Sequence, residues 1–164
     1  MQAAFSILRT TAVVALAVVA LGAKAQGLSY SLQCQSIGAS PPEPLGDSEG
    51  HAISSGDVSC RVEDGPLAGG VMTGTHMYEW NKGTGVTLAG SGIVRKPGAT
   101  TTYRIDEGRV TLTMVDGKVR GSTGSGKGVY TMAIGTAAAL NGKAFTYTTR
   151  TTAPGQFLLS VQVQ

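Results

Sequence analysis

Arg109-Val110-Thr111-Leu112-Thr113-Met114-Val115, then Asp116-Gly117, then Lys118-Val119-Arg120-Gly121-Ser122-Thr123, is the stretch whose reading decides the fold. Two alternating runs joined by Asp-Gly form the strongest short-range hairpin signal, because both central positions of a type I′ turn need positive φ. A two-residue loop fixes the register, so Val115 is expected opposite Lys118, Met114 opposite Val119, Leu112 opposite Gly121 and Val110 opposite Thr123. Val110, Leu112, Met114 and Val119 then share a buried face. Thr111, Thr113, Lys118, Arg120 and Ser122 share a wet one. One buried and one solvated face is the pattern of an antiparallel sheet around a single core.

Outward from this hairpin the same rhythm continues. Val71 to Trp80, Val86 to Arg95, Thr101 to Ile105, Val110 to Val115, Lys118 to Thr123, Gly128 to Leu140, Lys143 to Thr151 and Phe157 to Val163 read as eight strands. Turn residues fill each gap, among them Asp106-Glu107-Gly108, Gly124-Ser125-Gly126, Asn141-Gly142 and Pro154-Gly155. Connections this short pair neighbours antiparallel. Eight serial strands without covering helices must close on themselves or fold over. The expectation is an all-β, mostly up-and-down eight-stranded barrel, with a β-sandwich as the alternative. Ala137-Ala138-Ala139 favours helix, but Asn141-Gly142 argues for a hairpin that sets Phe145 and Tyr147 opposite Ala138 and Thr136, large against small.

The amino-terminal residues read differently. Arg9, an apolar run from Thr11 to Leu21, and Ala23-Lys24-Ala25 describe a secretory signal peptide over residues 1–25, cleaved after Ala25. The run is shorter than the roughly 20 apolar residues of a membrane span. Residues 26–164 then form one secreted or periplasmic domain, large enough to bury a core without a metal. Without Arg9 and Lys24, 11 basic residues face 10 acidic ones, a net charge of +1. Residues 26–79 hold seven acids and one base, Arg61; residues 80–164 hold ten bases and three acids. Those bases alternate with Thr and Ser, as a solvated sheet face does, so no nucleic-acid or membrane partner is expected.

Leu28 to Cys34 and Val58 to Val62 alternate as two further strands. Their cysteines, Cys34 and Cys60, are an even pair in an exported chain and read as one disulfide. Closing a loop of about 25 residues stabilises by roughly 3–4 kcal/mol in the chain-entropy account. Between them, residues 35–56 carry Pro41-Pro42-Glu43-Pro44, Asp47 and Glu49 without periodicity and read as a mobile acidic insert.

Chemical motifs are sparse. Gly121 to Lys127 matches much of a phosphate-cradling loop, but Gly128 stands where the magnesium-binding hydroxyl belongs, and a strand follows instead of a helix. His51 and His76 are the only histidines, with no ligand spacing, so neither metal nor cofactor is expected. Gly90-Ser91-Gly92 is no nucleophile elbow, Asp106-Glu107 sits in a turn, and no catalytic set emerges. On a strand, His76, Tyr78 and Trp80 share one face; with Tyr103 they are the candidate ligand-binding residues, an aromatic wall with polar handles.

Gly126-Lys127-Gly128-Val129-Tyr130-Thr131-Met132-Ala133-Ile134-Gly135 has the form G-x-G-x-aromatic-x-x-A-x-G. It resembles a strand motif of the dirigent proteins, whose fold is shared with the allene oxide cyclases. The resemblance spans ten residues and implies an eight-stranded antiparallel barrel with an apolar cavity. Those families bind or steer lipophilic small molecules and often form trimers, which adds a small apolar ligand and a homo-oligomer to the expected partners. The acidic and basic pocket residues of the dirigent proteins have no counterpart here, so no residue role is carried over. Three readings follow: a carrier of one small lipophilic molecule, a ligand-free structural or interaction protein with a filled barrel, and a cyclase-like isomerase.

Overall fold

The computed structural model describes residues 28–38 and 41–164; the leader expected over residues 1–25 lies outside them. The strands are β1 (Ser29–Ile37), β2 (Glu43–Pro44), β3 (His51–Val62), β4 (Val71–Asn81), β5 (Thr84–Lys96), β6 (Ala99–Val115), β7 (Lys118–Gly135), β8 (Ala144–Ala153) and β9 (Gln156–Val163). From β3 to β9 each strand pairs antiparallel with the next, and β1 pairs with both β9 and β3. That closes an eight-stranded antiparallel barrel, with β2 as a short extra strand on β3. Full closure leaves the barrel without a free edge.

The closing seam is covalent. Cys34 and Cys60 lie directly opposite on β1 and β3 and are disulfide-bonded. They are 5% and 2% exposed, so the bond is also part of the core.

One end of the barrel is plugged. Leu67, from the connection between β3 and β4, is fully buried there. Ala137 and Leu140, from the segment between β7 and β8, join it in a core with Leu32, Val62, Val94, Tyr130 and Val163. The Tyr30 and Tyr130 hydroxyls hydrogen-bond to each other within this layer.

The barrel has its eight strands by a different division than the alternation suggests. Thr101–Ile105 and Val110–Val115 are halves of the single strand β6, and Asp106 is absorbed as a bulge between Ile105 and Glu107. Likewise Lys118–Thr123 and the strand begun at Gly128 are one strand, β7, and Gly124-Ser125-Gly126 is no turn. Two strands lost by merging are replaced by β1 and β3. The phosphate-loop look-alike at Gly121 to Lys127 is therefore strand interior.

The physical reason lies in what glycine supplies. Gly126 pairs with Tyr147 and Gly128 with Phe145. A Cβ on Gly126 would lie 2.6 Å from the Tyr147 ring, and one on Gly128 2.7 Å from the Phe145 ring. These glycines serve as notches for inward rings, and positive φ is not required of them. Large does face small, but Phe145 and Tyr147 face Gly128 and Gly126, and Ala138 and Thr136 lie beyond the strand.

The β7 strand stops at Gly135, and Ala138–Leu140 form a 3₁₀ turn in place of the strand expected as far as Leu140. Asn141 at φ −57°, ψ 124° and Gly142 at φ 72° make a type II turn closed by Lys143 N–H donating to the Leu140 carbonyl. Gly142 keeps its expected positive φ, but the connection is no two-residue hairpin. The Asn141 side-chain oxygen also accepts from the Ala133 N–H.

At the opening hairpin, Asp116 (φ 49°) and Gly117 (φ 70°) adopt the type I′ pattern, and Val115 pairs with Lys118 and Met114 with Val119. A bulge beside Met114 then shifts the register by one, so Leu112 faces Ser122 and Val110 faces Gly124, where Gly121 and Thr123 were expected. The hairpin extends past the last β5 and β8 pairings, at Thr84 and Arg150. No strand covers its tip, so Met114 and Val119 are 53% and 54% exposed where burial was expected. The insert is shorter than residues 35–56, because β1 runs to Ile37 and β3 starts at His51.

Candidate functional site

Opposite the plugged end the barrel opens, and its lumen holds a cavity of about 520 Å³. Strict alternation turns His76, Tyr78 and Trp80 of β4 inward, and Tyr103 reaches the same space from β6. All four residues singled out from the sequence therefore line one cavity. His76 and Tyr78 ring centres lie 4.9 Å apart, and those of Tyr78 and Trp80 5.7 Å apart, a tilted stack climbing towards the mouth. Trp80 Nε1 donates to Ser54 Oγ at 2.7 Å, and its ring lies flat over Gly85.

The wall also contains residues the sequence reading missed. Phe145, Tyr147, Thr149 and Thr151 of β8, Phe157, Leu159 and Val161 of β9, and Ile105, Val110 and Leu112 of β6 face the lumen. Their alternation is visible in the sequence; which face is inward is not, until the bulges are placed. Arg120 and Ser122, expected on the wet face, line the mouth because the bulge beside Met114 rotates them inward.

A second bulge changes the chemistry of the lumen. On β5, Ala89 pairs with Met77 and Thr87 pairs with Tyr78, so Leu88 is the extra residue. Alternation from the inward Val94, Gly92 and Gly90 would bring Leu88 inside. The bulge expels it, 51% exposed, and aims Thr87 inward instead. The Thr87 hydroxyl is buried against the Tyr78 and Tyr147 phenols, and its contact with them opposes part of the rise that burial imposes on both. Gly108, brought inward by the β6 bulge, leaves room for Thr87 Oγ1 and the Tyr147 hydroxyl to meet above it.

The lumen keeps its titratable groups neutral. Burial pushes Tyr78 up to about 12 and raises Tyr103 and Tyr147 above the ordinary phenol value. Burial also holds His76 below the ordinary imidazole value, partly opposed by Asp57. At neutral pH the middle of the cavity therefore carries hydroxyls and an uncharged imidazole. No known family model, curated protein or solved structure matches this chain. The site is read on its geometry alone. Among the described residues no group of His, Cys, Asp and Glu could hold a metal. No described helix is long and apolar enough to cross a membrane.

At the rim, His51 anchors the insert. Its Nδ1–H donates to the Asp47 carboxylate at 2.7 Å and its Nε2–H to Glu79 Oε1 at 2.8 Å. Glu79 first, then Asp47, raises the His51 pKa, and His51 lowers that of Asp47. A group with a raised folded pKa contributes stability fully below its unfolded value and loses it as pH rises through the folded one. A depressed carboxylate does the converse. The clamp is thus strongest between about pH 4 and 6.5, bounded by the ordinary Asp and His values. The melting-temperature difference between the native protein and His51→Gln is expected to peak in that window and shrink as pH rises beyond it. A flat difference from pH 5 to pH 9 contradicts the clamp.

Proposed function

We propose that this protein is an exported barrel that binds one small lipophilic molecule in its lumen. The observation that carries this reading is the cavity of about 520 Å³, within the usual range for small-molecule pockets of roughly 300–1,000 Å³. It is closed at one end, open at the other, and walled by aromatic and aliphatic side chains around a few polar groups. A barrel serving only as a structural body gains dispersion energy by filling such a space. The secretory pattern of residues 1–25 and the disulfide support export.

Trp80 is the only Trp and sits in the cavity wall, so its emission reports on occupancy. Titration with the neutral apolar probe N-phenyl-1-naphthylamine is expected to quench Trp80 saturably and to raise the melting temperature with probe concentration. Trp80→Ala is expected to weaken the probe's thermal-shift affinity about ten-fold or more while the barrel still unfolds cooperatively, as deleting an aromatic contact from a pocket does. Non-saturable quenching with no thermal shift contradicts the reading. Loss of the fold in Trp80→Ala would make the ring packing only.

A further inference from the structure

Resting on that lipophilic-binding reading, we infer that His76 is the polar anchor of the lumen, and that the ligand is an uncharged lipophilic alcohol or phenol whose O–H is donated to its imidazole. Three observations converge. The first is that the ring nitrogens are free. Neither takes part in a hydrogen bond among the described residues; burial and the charge of Asp57 are the influences acting on the ring. Two polar side-chain atoms among those residues are fully enclosed without a partner, and they belong to Thr87 and Thr101. The His76 nitrogens therefore keep surface open, and on an inward side chain that surface is the lumen.

The second is that the neighbouring aromatic heads are already placed against protein. The Tyr78 and Tyr147 phenols meet Thr87. The Tyr103 hydroxyl lies over Gly74 and Gly92, Trp80 Nε1 donates to Ser54 Oγ, and Tyr30 and Tyr130 hydrogen-bond to each other at the plugged end. His76 itself pairs with Gly56 of β3 and Gly90 of β5, neither of which has a side chain to lie beside the ring. Glycine within a strand marks a place where another group approaches closely. Ile105 reaches across Gly90, which makes that side of the anchor apolar.

The third is the chemistry of the wall. No carboxylate is among the described residues lining the cavity, and its cation, Arg120, stands at the mouth. Hydroxyls supply the other polar groups at the level of the tyrosines, so the bare imidazole nitrogen is the side-chain acceptor there without a hydrogen of its own. A ligand that fills the lumen strips water from this nitrogen, and one with no donor to replace it loses affinity. An alcohol or phenol suits either tautomer of the ring, since its oxygen also accepts. A carboxylate would be desolvated against a neutral ring with no fixed cation at this depth.

Only the neutral ring offers the acceptor, so the preference for a donor is lost as pH falls through the His76 pKa, which burial holds below the ordinary imidazole value of about 6.5. The titratable groups facing the ring are Tyr78 beside it, Tyr103 from β6 and Tyr147 from β8, all neutral in this range, while Asp57 acts through its charge from β3. β5 faces it with Gly90, β7 brings Arg120 only to the mouth, and β1 and β9 bring no titratable side chain to the cavity.

Three probes of similar size test the assignment: 2-naphthol, 2-methoxynaphthalene and 2-naphthoate, by calorimetry on the full mature protein. At about pH 7.5, 2-naphthol is expected to bind about five- to ten-fold more tightly than 2-methoxynaphthalene, the size of one hydrogen bond, and more tightly than 2-naphthoate. The first ratio should shrink towards unity as pH falls below about 6.5, whereas His51 at the rim acts on both probes alike. His76→Phe keeps a flat ring and is expected to abolish the ratio while 2-methoxynaphthalene still binds. Nitrogen NMR of the native protein reads the contact without substitution: the His76 ring signals should shift far more with 2-naphthol than with 2-methoxynaphthalene. If both probes bind with equal affinity at neutral pH, or if the preference persists in His76→Phe, the anchor assignment is overturned while the lipophilic reading stands. Tighter binding of 2-naphthoate than of 2-naphthol overturns it too. Should His76→Phe fail to fold, the pH series and the nitrogen shifts decide. If none of the three probes binds, the lipophilic reading itself fails and the anchor with it.

Discussion

Gly128→Val is expected to destabilise the barrel by about 3 kcal/mol or more, at the upper end of overpacking costs, lowering the melting temperature by on the order of 10 °C. A Cβ at this position would lie 2.7 Å from Cζ of Phe145 and still closer to the Arg104 carbonyl. Phe145 is 4% exposed and packs on Tyr130 at 4.9 Å between ring centres, so moving its ring gives up that contact. The Arg104 carbonyl belongs to the β6 ladder and cannot yield without breaking pairing. Gly98 supplies the contrast: nothing lies within 4 Å of its would-be Cβ, although its φ is 76°. Gly98→Ala is therefore expected to cost only about 1 kcal/mol, the strain of a left-handed residue. Thermal unfolding of the two variants checks the distinction between glycine as notch and glycine as turn. Equal losses contradict it.

The second large effect is at the seam. Cys34→Ala is expected to cost about 2–5 kcal/mol, the usual loss when a small domain gives up a native disulfide. The bond joins β1 to β3, the pairing that converts a meander into a closed barrel. Cys34 and Cys60 should resist thiol labelling in the native protein and label fully after reduction and unfolding. Ready labelling of freshly isolated protein contradicts the bond. Double substitution to Ala at both positions removes the free thiol and is expected to lose about as much as the single variant, because the lost constraint on the unfolded chain is the same.

Much of this architecture is legible in the chain because alternation and turn chemistry are local signals. The Asp116-Gly117 turn, its first pairs, the cysteine pair and the closed eight-stranded outcome all follow from neighbours in sequence. Bulges do not. Each inserts one residue into a strand without a compositional mark, and after it every side chain changes face. That is why the partners of Leu112 and Val110 are displaced and why the pattern does not place Thr87 beside Tyr78; Met114 and Val119 stand in solvent because no strand covers the hairpin tip. Glycine misled for a related reason. Gly124, Gly126 and Gly128 resemble turn residues, but their use is to receive Thr149, Tyr147 and Phe145 from β8, a relation between strands that no local pattern records. By contrast, His76, Tyr78 and Trp80 lie on an unbulged stretch of β4, so their common face could be read directly.

The most direct test of the lipophilic-binding account is native mass spectrometry of the mature protein purified from its own host. The account predicts a population carrying one adduct of small-molecule mass, released on denaturation and displaced one for one by N-phenyl-1-naphthylamine. A bare polypeptide mass that gains no adduct even at saturating probe would contradict it.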